Sequence, residues 1–226
     1  MTTRVISGEV GYSSKVAHLA VNVSKSKFTN GNEFVTFNNP FFNGGVDTFT
    51  LSPDSEQTKW SVNGLIKSLP WDSQLAARYT NSKLTADVPL LQGVLQTGNS
   101  SAITPTPANV STFNGENKVT TTSVAWTARP TKQTDAKLYW NYYKKDNASD
   151  EVLFTAQNIT PERFEFTKKN LGAEFWYRFA GHTKGILGYD RAETDRERSD
   201  FTKTKDDKLY LEARSDAWDT AALRAR

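Results

Sequence analysis

Asp135-Ala136-Lys137-Leu138-Tyr139-Trp140-Asn141-Tyr142-Tyr143-Lys144-Lys145 alternates in character along its length. Ala136, Leu138, Trp140 and Tyr142 fall on one side, and Lys137, Tyr139 and Asn141 on the other. Side chains on a β-strand point alternately to opposite faces, so one face of this strand is apolar and the other polar. Ser73–Lys83 repeats the pattern, with Leu75, Ala77 and Tyr79 set against Gln74, Arg78 and Thr80. Roughly ten residues, tilted at about 45°, are enough to cross the hydrocarbon core of a bilayer.

Working outward from these two segments, strands are expected at about 4–12, 16–26, 57–67, 73–83, 117–129, 135–145, 164–179, 184–193 and 207–217, with a tenth at 219–226. Short turns at 13–14, 68–72, 130–134, 180–183 and 216–219 alternate with long polar loops at about 27–56, 84–116, 146–163 and 194–206. Val46–Leu51 also reads as a strand, but counting it would break the alternation, so it is assigned to the first loop. Short turns on one rim and long loops on the other characterise an outer-membrane barrel. Loops of about thirty residues are uncommon in compact soluble domains. The fold class expected is therefore all-β: an antiparallel transmembrane β-barrel segment.

Composition narrows the alternatives. At 226 residues the chain is long enough for one large domain. No apolar run approaches the roughly 18 residues that a spanning helix requires. The mean hydropathy of −0.61 still suits spanning strands, because each spends half its residues on the polar side. Cysteine is absent, which removes disulfides, thiolate metal sites, a Cys nucleophile and haem attached through C-x-x-C-H. A net charge of +3 without a dense basic block argues against nucleic acid as a partner. Met1–Gly8 lacks the apolar core of a signal peptide, and Ala225-Arg226 lacks the aromatic residue that usually closes a bacterial barrel. With the strand pattern, these ends lead us to expect a fragment of a longer outer-membrane chain, its signal peptide missing from this sequence.

Placing the apolar parity outward puts Leu19, Val21, Trp60, Val62, Leu171, Phe175, Leu209 and Leu211 against lipid. The same choice turns His18, Asn22, Asn63, Arg78, Glu174, Arg178 and Arg214 inward, as candidate contacts for whatever fills the lumen. A slip of one residue would move Arg78, Arg178 and Arg214 into lipid together. At about 2–4 kcal/mol for each arginine, the register is held by roughly 6–12 kcal/mol. Tyr12, Trp71, Trp126, Phe179 and Trp218 lie near the short turns, where an interfacial girdle is expected.

Enzyme chemistry leaves no trace: there is no H-E-x-x-H, P-loop, G-x-S-x-G or Rossmann glycine set. His18 is assigned to the lumen wall and His182 to a short turn, each as a solvated imidazole. The acidic stretch Asp146–Glu151 lacks EF-hand spacing and reads as a solvated loop. Arg191–Asp200 reads as a loop laced with surface ion pairs, and docking of a partner there is the lesser alternative.

The order of short motifs resembles the MtrB/PioB family of decahaem-associated outer-membrane barrels. They begin with Ser7-Gly8-Glu9-Val10-Gly11-Tyr12, Ser26-Lys27-Phe28-Thr29-Asn30 and Asn39-Pro40-Phe41. Thr50-Leu51-Ser52-Pro53-Asp54-Ser55 then resembles the family's Leu-x-Pro-Asp-Asn element, with Ser55 in the place of Asn. Leu69-Pro70 and Gln74–Tyr79 follow, and later Leu187-Gly188-Tyr189-Asp190-Arg191 leads into an Arg- and acid-rich run. The resemblance implies a barrel that sheathes a multihaem c-type cytochrome for extracellular electron transfer, with an outer-surface cytochrome docked on the loops. It implies no cofactor bound by this chain; the haem belongs to the partner. Ten strands close to a bore of roughly 20 Å, which side chains fill, whereas about 26 strands reach roughly 50 Å and admit a guest. The alternatives are a passive or substrate-specific porin and, further off, a secreted β-sheet binding module.

Overall fold

Alternating sequences become strands because each strand can then give one face to an apolar environment and pair its backbone with both neighbours. The structure, a computed structural model, describes residues 1–38, 46–89, 112–153, 162–179, 183–197, 202–218 and 221–225. Its elements are β1 (Thr2–Ser13), β2 (Ala17–Thr29), β3 (Phe34–Asn38), β4 (Val46–Thr50), β5 (Ser55–Leu69), β6 (Ser73–Pro89), β7 (Thr112–Thr131), β8 (Thr134–Asn147), β9 (Phe166–Arg178), β10 (Thr183–Arg196), β11 (Lys203–Trp218) and β12 (Ala221–Ala225). Ten of them form one antiparallel sheet in the order β1-β2-β5-β6-β7-β8-β9-β10-β11-β12. Chain order and spatial order coincide except at the β3–β4 hairpin, a separate two-stranded sheet. Val46–Thr50 of the 46–51 stretch is thus a strand, but one inside the excursion between β2 and β5, and the meander passes it by. His182 and Trp218's side chain lie outside the described residues.

Several strands run further than the alternation indicates. β6 continues to Pro89 and β7 begins at Thr112, and their pairing persists to Pro89↔Thr112. β10 likewise extends to Arg196, taking Arg191–Arg196 out of the expected loop. In the β6 extension the apolar parity changes face, Leu84, Ala86 and Val88 falling on the side of Arg78 and Thr80, while Thr194–Arg196 of β10 is polar throughout. The period of one amphipathic strand is broken while the backbone ladder continues.

The register sorts side chains cleanly. One cross-strand row reads Val10↔Val21↔Val62↔Tyr79↔Thr122↔Tyr142. The next row reads Glu9↔Asn22↔Ser61↔Thr80↔Thr121↔Tyr143. The sheet is a single layer: among the described residues no large side chain is fully buried. Leu209 is 75% and Leu211 71% exposed, so none of the described residues covers the apolar face there. Aromatic pairs mark both ends of that face. Trp71 and Trp126 meet edge to face at 6.5 Å and Tyr177 and Phe179 at 4.8 Å by the short turns. Trp60–Tyr79 at 5.0 Å and Trp140–Tyr142 at 5.9 Å lie toward the long connections.

Candidate functional site

The polar face is the surface on which this sheet can meet a soluble guest or solute, and strand parity places all seven inward candidates there. They fall into separate groups. Asn63 and Arg78 are cross-strand partners on β5 and β6, and with Asn22 of β2 they line a shallow depression with Glu9 and Lys59. His18 is exposed near the short-turn end of β2. Glu174, Arg178 and Arg214 lie across the sheet on β9 and β11.

This second group is tied down by lateral bonds. The Arg178 guanidinium is bonded to the Asp135 carboxylate and donates to the Lys132 carbonyl at 3.0 Å. Arg129 reaches the same carboxylate at 3.0 Å, so one acid restrains two arginines at the short-turn end of the face. Arg214 pairs with Glu212, whose side chain is buried. Glu174 accepts a hydrogen bond from the Tyr210 hydroxyl at 2.7 Å, with the Lys137 ammonium 3.9 Å away.

Around Glu174 the sheet carries an arrangement that alternation alone does not disclose. Tyr139↔Gly172↔Asp190 form one cross-strand row, and Tyr210↔Gly188↔Glu174 run in the opposite direction in a neighbouring row. Each tyrosine ring lies over the glycine beside it and carries its hydroxyl to the carboxylate one strand beyond. A Cβ added to Gly172 or Gly188 would fall inside the van der Waals radius of the covering ring. Asp190 takes a second hydrogen bond from Asn170 Nδ2 at 2.6 Å. Lys137 lies 4.9 Å from the Tyr139 ring centre and Lys208 5.7 Å from that of Tyr210, completing a local two-fold pattern across β8–β11. Covering strand glycines with aromatic rings is a known way to stabilise a sheet. The signal in the sequence was the isolated glycines within strand patterns, which mark close approach of another group.

No constellation of nucleophile, base and acid emerges from these contacts; the hydrogen bonds run sideways, from strand to strand. The arrangement makes a firm polar wall. No curated protein matches the chain. A family model described as "Putative outer membrane beta-barrel porin, MtrB/PioB" matches residues 1–226. With a meandering antiparallel sheet, a bare apolar face and that match across its whole length, the chain belongs to the MtrB/PioB family of outer membrane β-barrel porins.

Proposed function

We propose that this sheet is part of the wall of a wide outer-membrane barrel that holds a multihaem c-type cytochrome across the membrane for extracellular electron transfer. The chain provides the sheath; the haem and the redox chemistry are the partner's. The observation that carries this reading is the pair of open edges. Among the described residues β1 pairs only with β2 and β12 only with β11. Unpaired backbone groups in hydrocarbon cost several kcal/mol each, so both edges must be covered in the membrane, and the sheath reading covers them with further strands. Each added strand widens the bore beyond the roughly 20 Å that ten could make. Among the described residues the β3–β4 hairpin contacts no other strand. An outer-surface cytochrome docked on the long loops would complete the electron path.

The family description favours a second reading, a diffusion porin. Purifying the full gene product from outer membranes in mild detergent separates the two. The sheath reading expects a co-purifying polypeptide that carries covalent haem and liposomes that stay tight to small sugars. Haem-free barrel that makes liposomes swell in sugar would replace it with the porin.

A further inference from the structure

The outward face is apolar only in part. Beyond the aromatic row nearest the long connections, its side chains become charged: Lys25 follows Val23 on β2, Lys83 lies past Tyr79 on β6, and Lys118 lies past Thr122 on β7. On β9–β11 the same face carries Lys169, Arg191, Glu193 and Lys205, with Asp207 opposite Arg191. At the short-turn end of this face, the described strand positions carry no charge: Ala17, Ile66, Leu75, Trp126, Ala136 and Tyr177 occupy it. The charge is therefore confined to one side of the apolar band.

Acids in this collar are shared among more than one cation. Glu116 accepts from both Lys83 and Lys118, each at 2.8 Å. Glu193 takes bonds from Arg191 at 2.7 Å and stands between Lys169 and Lys205 as its cross-strand partners. With Glu56 on Lys25, Asp146 on Lys144 and Asp207 opposite Arg191 also counted, each of the two clusters keeps a small positive balance, half-exposed and facing away from the lumen. Lys83 and Lys118 lie one same-face side chain past the Trp60–Asn81 row, and Lys169 and Lys205 stand in the row of Tyr142. This is the aromatic level, where hydrocarbon gives way to lipid headgroups. A soluble anion would have no reason to meet cations on the lipid side at this one depth.

We propose that the collar on the long-loop side binds the phosphate groups of an anionic lipid in the adjoining leaflet, with Lys83, Lys118, Lys169 and Lys205 as the principal contacts. Interfacial lysines attract anionic headgroups, and each accounts for about a fivefold change in retention. The inference concerns the lipid side of the wall and holds whatever occupies the lumen.

The test places the full gene product in nanodiscs with a bis-phosphorylated glycolipid or with the same lipid after removal of its phosphates, and measures lipid retention by native mass spectrometry. The phosphorylated form should be retained preferentially. A variant with all four lysines changed to Gln should lose that preference by roughly several hundredfold, and one with all four changed to Arg should keep it. Equal retention of both lipids would overturn the proposal. So would an unchanged preference in the Gln variant, or full competition by millimolar inorganic phosphate. Failure of the Gln variant to fold is countered by the phosphate-free lipid arm, which needs only the unaltered protein.

Discussion

Tyr139 and Gly172 show how much one missing methyl group can organise. The ring occupies the space a Cβ would need, and from there its hydroxyl reaches Asp190 across two strands. Gly172→Val should displace the ring and break that bond, with a loss of about 1–3 kcal/mol from overpacking alone. Tyr139→Phe keeps the cover and removes the donor, leaving Asp190 with Asn170, and should cost about 1–2 kcal/mol. Urea midpoints of the refolded protein in detergent would rank the two, with Gly172→Val the worse. At this scale the sequence was only partly legible. Parity placed Glu174, Arg178 and Arg214 on the polar face, because a charge in lipid is costly enough to decide the matter. It did not reveal that Tyr210 would seek Glu174, since that contact depends on which residues stand opposite one another, and register is a property of two strands.

Between strands, the outward and inward faces of β7 should answer the same substitution in opposite ways. Val124→Arg puts a guanidinium among Ala77 and Trp140 on the apolar face and should cost about 2–4 kcal/mol. Thr121→Arg, between Thr80 and Tyr143 on the polar face, should stay within about 0.5 kcal/mol of the parent. Folding yield into lipid vesicles measures both. Near the far end of β7, beyond the apolar band, hydrogen bonds from Lys118 and then Lys83 hold the Glu116 carboxyl below its ordinary value. A carboxyl depressed in the folded state adds stability above its unfolded value and loses it as pH falls through the folded one. The wild type should therefore weaken as pH falls below the ordinary glutamate range and through the lower folded value, and Glu116→Gln should flatten that slope in a series of unfolding midpoints. The sequence located every strand of the main sheet through alternation, yet understated β6, β7 and β10. Past the apolar band the pattern changes: Leu84, Ala86 and Val88 of β6 turn to the inner face, and the last residues of β10 are polar on both.

For the molecule as a whole, stability is spread along a ladder and has no centre. Interior strands hold two neighbours and the outer ones a single neighbour. Hydrogen exchange on the 226-residue chain in detergent should find amides of β1 and β12 exchanging first and those of β6–β9 last. Uniform protection from β1 to β12 would mean that the edges pair with each other or with a second copy. Compartment and architecture were readable from sequence at this scale because the spacing of short and long connections is a global regularity. What the polar face meets was not, because a wall records only the chemistry of its own surface.

The one-sided placement of charge on the lipid face also bears on how such a wall is put in place. Strand ends that bear Lys83, Lys118, Lys169 and Lys205 must cross the hydrocarbon once during assembly, each at a transient penalty of about 2–4 kcal/mol near the midplane. The opposite end, capped by Trp71 and Trp126, makes no such passage. Having crossed, the lysines resist being drawn back, so the same residues that slow entry act as a latch against extraction and fix which way the sheet points.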